Sequence, residues 1–252
     1  MIGIGSPAFC MRPFDEMAER ISKDFRLWEI LPEGEDQFKL IEGRLKRARD
    51  SFGMRFQVHA PLSDVNIGSL HEPMWAAAME EIRSTISWCR RLDIGLMTLH
   101  PGFVRGVAFL DRSMTLDRTR RAVLELDRFA KDNSVAIALE NMPSNVNGTC
   151  TSPEELLKML EGTEMGICFD VGHANTTGNI DSYLPLARRF INVHLHNNGG
   201  QWDEHNVIDD GSADVHKVIA ALKESYGGNI VIESTDLETG VISKGKLEAL
   251  LS

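Results

Sequence analysis

Histidines and carboxylates recur in this chain at the ends of short apolar runs, a placement suited to binding metal. FQVH ends in His59, LMTLH in His100, AIALE in Glu140 and GICFD in Asp170, with His173 three residues further on. NVHLH carries His194 and His196, Asp203 and His205 form a D-x-H pair just beyond it, and VIE ends in Glu233. Imidazole nitrogens and carboxylate oxygens are the donors that first-row divalent ions accept, zinc first and manganese as a further candidate. A lone histidine in a β-rich segment is more often structural than a ligand. Recurrence of ligand-type residues on successive runs is different, because helix amphipathicity does not generate it. Glu140, Asp170 and Glu233 brought together would also be costly without cations to offset their charge.

For these residues to meet, the elements that carry them must point to one place. Eight short runs rich in β-branched and aliphatic residues predict strands at 2–5, 26–31, 55–60, 95–100, 135–140, 165–170, 191–196 and 229–234. Helical spacing of apolar residues predicts helices at 14–25, 37–52, 73–92, 117–132, 152–160 and 214–228, with shorter stretches at 181–189 and 244–251. Ser152, Pro153 and two glutamates make a helix start, and Gly227 and Gly228 a helix stop. Strict alternation implies parallel strands joined by crossover helices. Eight units predict an α/β fold, a single (β/α)8 TIM barrel spanning residues 1–252, with the metal site at the C-terminal face of the strands. An open doubly wound sheet is the structural alternative, but no GxGxxG or GxxxxGK[ST] loop follows any strand.

The formal net charge is −10, from 37 acidic and 27 basic residues, which disfavours nucleic acid as a partner. No apolar run approaches the roughly 18–20 residues that cross a membrane. The cysteines (Cys10, Cys89, Cys150, Cys168) are scattered and read as reduced, so a cytoplasmic protein is expected. Cys168 reads as core. His71 and His216 lie beside predicted helices and read as solvent-facing, whereas Asn141, Asn197 and Asn198 are either hydrogen-bonding groups of the site or loop caps.

In order, FQVHAPL, TLHPG, ALEN, CFDVGHAN, NVHLHNN, DEH and VIES resemble the xylose isomerase-like barrels of the apurinic/apyrimidinic endonuclease IV group, over nearly the whole chain. The resemblance implies up to three zinc ions. His59, His100 and Glu140 would hold the first; Glu140, Asp170, His194 and Glu233 the second; His173, Asp203 and His205 the third. His196 stands where that group commonly has a non-ligand polar residue, so it is expected behind the ligands or facing substrate, as a catalytic candidate with Glu140 and Glu233. The implied activity is metal-assisted hydrolysis of a phosphoester or phosphodiester, with DNA repair the associated role.

Two departures point elsewhere. Leu62 replaces the aromatic wedge that follows the His-Ala-Pro motif in the endonuclease, and the loop after strand two carries Glu29, Glu33, Glu35 and Asp36 in place of basic residues, so acid is expected near the barrel mouth. The alternative is a sugar or sugar-phosphate isomerase or epimerase using one ion on Glu140, Asp170, His194 and Glu233, with the two glutamates moving protons. Gly200 stands where related epimerases often place an arginine, which counts against that alternative. On either reading the partner is a small phosphoester or a sugar-type substrate.

Overall fold

Parallel strands covered on both faces need apolar runs with few polar breaks. The computed structural model, which describes all 252 residues, forms strands from eight such runs. They are β1 (Ile2–Gly5), β2 (Leu27–Ile30), β3 (Arg55–His59), β4 (Leu96–Leu99), β5 (Ala136–Glu140), β6 (Gly166–Asp170), β7 (Phe190–Leu195) and β8 (Asn229–Glu233). They pair in chain order, each parallel to the next, and β8 returns to β1 to close the barrel. The helices are α1 (Phe14–Ile21), α2 (Phe38–Phe52), α3 (Glu72–Arg91), α4 (Arg112–Asp132), α5 (Pro153–Leu160), α6 (Val171–Thr176), α7 (Ile180–Tyr183), α8 (Val215–Ser225) and α9 (Leu237–Leu251). The alternation is that of a (β/α)8 barrel.

Several helix boundaries differ from the sequence expectation for local reasons. α4 starts at Arg112 because the Asp111 carboxylate accepts from Ser113 N at 3.0 Å. α9 starts at Leu237, seven residues before the expected 244, under an Asp236 cap that accepts from Thr239 N at 2.8 Å. Gly240 and Gly245 interrupt its apolar pattern, which hid the first half. The 181–189 stretch is α7 running into a 3-10 helix, Leu184–Arg189. α1 ends at Ile21, and the chain then turns through Ser22–Phe25 into β2.

The apolar core lies between the barrel and its helices. Trp28 of β2 stacks on Phe14 of α1 with ring centres 5.1 Å apart, and Phe169 of β6 stacks on Phe190 of β7 at 4.8 Å. The barrel's own centre is polar. Glu29 accepts hydrogen bonds there from Asn192 Nδ2 (2.9 Å), Gln57 Nε2 (2.5 Å) and Thr98 Oγ1 (3.3 Å), all of them buried. Branched aliphatics fill this layer in many barrels; here it is a hydrogen-bonded floor beneath the strand ends. The four cysteines are free and buried, and no helix is long and apolar enough to cross a membrane.

Candidate metal centre

Every strand from β3 to β8 delivers a ligand-type side chain at or just past its C-terminal end, and the closed barrel turns them toward one another. At the centre, His194 Nδ1 lies 3.0 Å from Glu140 Oε1, 3.0 Å from Glu233 Oε1 and 3.8 Å from Asp170 Oδ2. One nitrogen therefore faces carboxylates from three other strands. The opposite ring nitrogen, Nε2, is 2.8 Å from Glu29 Oε1, and because a carboxylate only accepts, Nε2 carries the proton. A buried carboxylate behind the histidine fixes its ring, so Nδ1 faces the other carboxylates and would be the nitrogen that meets a bound ion.

The second group shares Glu140. His100 Nε2 is 3.0 Å and His59 Nε2 3.5 Å from Glu140 Oε2. His59 Nδ1 donates to its neighbour's carbonyl, Ala60 O, at 2.8 Å, which presents Nε2 to the site. The same device orients His173, whose Nδ1 donates to Asn141 O at 2.8 Å.

His173 belongs to the third group, which is built by different means. Asp170 ends β6 and caps α6, accepting from His173 N at 2.6 Å, so the strand end and the first helical turn are locked together. Asp203 and His205 come from the loop after β7, pinned by a bridge in which Asn197 and Asn206 exchange backbone hydrogen bonds. Asp203 Oδ2 lies 3.1 Å from His173 Nε2 and 3.2 Å from His205 Nε2. His205 holds a left-handed backbone (φ +53°), a strain of about 1–3 kcal/mol that the surrounding loop sustains.

His196 packs against this group, behind the cavity wall. It is fully buried and is not among the residues that line the cavity at the barrel mouth. Its ring lies flat against His205, 4.0 Å apart and 2° from parallel, with Nε2 3.5 Å from Asp203 Oδ1. A Cβ at position 172 would fall 1.9 Å from the His196 ring, so Gly172 is what makes room for it.

Protonation follows from these contacts. Burial alone would raise the Glu140 carboxyl, but the charges of His194 and His100 and their hydrogen bonds hold it well below the usual carboxylate range. Burial disfavours charge on His59, yet hydrogen bonding to Glu140 and the charges of Glu140, Glu29 and Glu233 push it up to about 9. His205 is likewise pushed up to about 9, against burial, by Asp203 and Glu233.

The donor set fits divalent cations. Asp170 Oδ2 and His196 Nε2 are buried and have no hydrogen-bond partner, a costly state unless something electrophilic meets them. The donor atoms fall into groups that lie within 4.8 Å of one another: His59–His100–Glu140, Glu140–Asp170–His194–Glu233 and His173–His196–Asp203–His205. Cys168 Sγ also comes within that distance of Glu140 and His194, but the residue is wholly buried on β6 and burial pushes its thiol pKa well up.

The acidic residues expected at the mouth separate. Glu29 and Asp36 are buried, Glu33 accepts from Leu62 N (2.7 Å) and Ser63 N (2.8 Å), and only Glu35 is exposed. Glu29 was legible as a charge inside an apolar strand, LWEI, yet it reads easily as part of the acidic loop that follows. Asn141 holds Asp170 through paired hydrogen bonds with its backbone (2.8 and 2.9 Å), and Asn197 and Asn198 brace the loop. His71 and His216 are exposed, as expected.

A cavity of about 160 Å³ opens above the groups, lined by His59, His100, His173, Asp203, His205 and Glu233, with Leu31, Leu62, Met142 and Pro143 as apolar walls.

The chain is 32% identical to an uncharacterized protein of Methanocaldococcus jannaschii, an alignment covering 99% of this chain and 88% of that one. A solved structure described as a D-tagatose 3-epimerase-like protein superposes with a TM-score of 0.91 at 32% identity, covering 99% of this chain and 96% of the other. Endonuclease IV from Thermus thermophilus shares the fold, with a TM-score of 0.76 at 17% identity over 99% of this chain and 98% of that one. The family model for the xylose isomerase-like TIM barrel matches residues 21–248, and the chain belongs to that family.

Proposed function

We propose that this protein is a divalent-metal-dependent enzyme that epimerises or isomerises a small neutral sugar, a ketose, by moving a proton on the carbon next to its carbonyl. The carrying observation is that Glu140 and Glu233, from strands three apart in the barrel, converge on one histidine nitrogen with Asp170 beside them. An ion held by Glu140, Asp170, His194 and Glu233 would polarise the substrate carbonyl and acidify the adjacent C–H. One glutamate then takes that proton, and its electron pair spreads onto the carbonyl oxygen. The other glutamate, in its protonated form, delivers a proton to the opposite face in an epimerase; in an isomerase the proton goes to the former carbonyl carbon, and the hydroxyl proton of the deprotonated carbon passes to the former carbonyl oxygen.

Size and charge support a small neutral substrate. The cavity, at about 160 Å³, is below the roughly 300–1,000 Å³ of pockets for drug-sized ligands. No lysine or arginine lines it, so a phosphate group would lack the forked donor that usually recognises it. The D-tagatose 3-epimerase-like relative points the same way.

One observation favours a second reading, phosphoester hydrolysis. A single-ion epimerase needs only the central group, and His59, His100, Asp203 and His205 supply further ligands of the kind a multinuclear hydrolase uses.

The two readings are separated by substrate. The manganese- or zinc-loaded protein is incubated in parallel with free ketopentoses and ketohexoses, a chromogenic phosphodiester and an abasic-site duplex. Multiple turnovers on a free ketose, followed chromatographically, are expected. Ester cleavage or duplex incision with no ketose conversion would overturn the proposal in favour of the hydrolase.

A further inference from the structure

We infer that two copies of this chain associate through an exposed strip formed by the loop after β4 and the start of α4. A two-fold axis there sets Arg105 of one copy against Asp117 of the other. The inference concerns assembly and does not depend on which reaction the metal centre performs.

The strip is apolar where it meets solvent. Val107, Phe109, Leu110 and Met114 fall within eight residues and are 69%, 51%, 90% and 54% exposed. Single exposed apolar side chains are ordinary on a protein surface, whereas a contiguous group of them marks a contact. Leu70, from the loop after β3, joins them. It shares one groove with Phe103 and Val107 and a second with Met114, so the apolar surface runs from the β4 loop across Leu70 onto α4.

The charges around the strip indicate what covers it. Most are already engaged within the chain. Arg118 pairs with Glu72, Arg121 with Glu125 and Arg112 with Glu155, while the Asp111 carboxylate caps α4. Arg105 and Asp117 are exposed, and neither meets an opposite charge. Arg105 extends over the Phe103 ring, 5.1 Å from its centre, in the groove that holds Val107. Asp117 lines the groove that holds Met114. One positive and one negative group therefore stand on either side of Leu70.

A surface with one unpaired charge of each sign astride an apolar centre is complementary to itself. In a two-fold interface residue i meets j and j meets i, so rotation about Leu70 brings Arg105 to Asp117 twice, with apolar side chains between them. A partner presenting one sign of charge would leave either Arg105 or Asp117 facing its like. An anionic membrane surface is opposed by the net charge of −10. The apolar strip supplies the affinity and the two charges set the register, because exposed ion pairs contribute little by themselves. His100 stands at the start of the same loop, so association would also hold the backbone on that side of the cavity.

Sedimentation equilibrium of the full chain, from nanomolar to micromolar concentration, tests this. Wild type is expected to reach twice the mass of one chain at micromolar concentration. Leu110→Asp should raise the dimer dissociation constant by at least about tenfold, as loss of a central apolar anchor does. Arg105→Asp or Asp117→Arg alone should weaken association by about tenfold or more, because each sets like charges opposite one another at both contacts. Mixing those two variants restores opposite charges at both, so the mixture should associate as tightly as wild type. A reciprocal two-fold contact predicts that rescue. Wild type that stays monomeric throughout, or a dimer untouched by Leu110→Asp, would overturn the inference. So would a mixture no tighter than either variant alone. Should Leu110→Asp unfold, as circular dichroism would show, Val107→Asp takes its place with the same expectation.

Discussion

The central group and the third group are made from the same residue types in different ways. Glu140, Asp170, His194 and Glu233 sit at the ends of strands and are held by the barrel's hydrogen-bond ladder, with Glu29 fixing His194 from below. The third group takes Asp203 and His205 from a loop, needs a left-handed residue to aim them, and keeps the Asp203 side chain 28% exposed. Strand ends give a rigid site without backbone strain; the loop gives a reach that no strand has, at a conformational cost. On the proposed reading the rigid group carries the two glutamates that move the proton, and the strained group has its donors turned on one another.

Substitutions can break this contrast. Glu140→Ala strikes the residue shared by the central and His59–His100 groups, so the largest loss is expected there. Ketose turnover should fall by about 10²–10⁴-fold or more, the range for a missing acid–base group, and elemental analysis should show metal released. Retained metal with lost turnover would mean that Glu140 serves only as acid or base.

Glu29→Gln keeps a hydrogen-bonding side chain behind His194 and removes its charge. Metal affinity of the central group should drop by about 10–100-fold, measured by competition with a chelator. An unchanged affinity would reduce Glu29 to a packing residue. Asp203→Ala should release one ion per chain yet lower turnover by less than about tenfold, or 1.4 kcal/mol in the barrier. A loss as deep as that of Glu140→Ala would erase the distinction between the two groups.

The smallest effect on activity, none, is expected at Asp36, a buried carboxylate with no histidine to meet it. Both its oxygens lack hydrogen-bond partners, and burial, with the charge of Glu35 nearby, raises its pKa from 3.8 to about 7. A carboxyl whose folded pKa is raised favours the fold most when protonated. That contribution is complete below about pH 4 and is lost as pH climbs to 7. Asp36→Asn should therefore stabilise the protein at pH 8 by an amount on the order of a few kcal/mol, and far less at pH 4, as thermal unfolding at the two pH values would show. Equal shifts at both would show that Asp36 is not the titrating group.

Much of this was legible in the sequence, because a parallel barrel gives strand ends a common destination. His59, His100, Glu140, Asp170 and Glu233 each close an apolar run and His194 falls two residues before the end of another, and the runs' positions alone predict that they converge. The Asp203–His205 pair lies in a loop, where periodicity says nothing; its residue types and spacing marked it, and the resemblance gave it a place on a third ion. The polar floor of Glu29, Gln57, Thr98 and Asn192 escaped notice because inward and outward positions look alike when both faces of a strand are buried. His196 stands two residues after His194 and so shares its face of β7. Its burial behind the cavity wall depends on Gly172, a contact between segments that no local pattern encodes.

The central claim, that Glu140 and Glu233 move a proton on a sugar carbon, is tested most directly by solvent exchange. Metal-loaded protein is incubated with free ketoses in deuterium oxide, and deuterium at the carbon beside the carbonyl is followed by NMR. Exchange into at least one ketose is expected, abolished in both Glu140→Gln and Glu233→Gln. No exchange into any ketose by the fully metal-loaded protein, or exchange that survives both substitutions, would contradict the account.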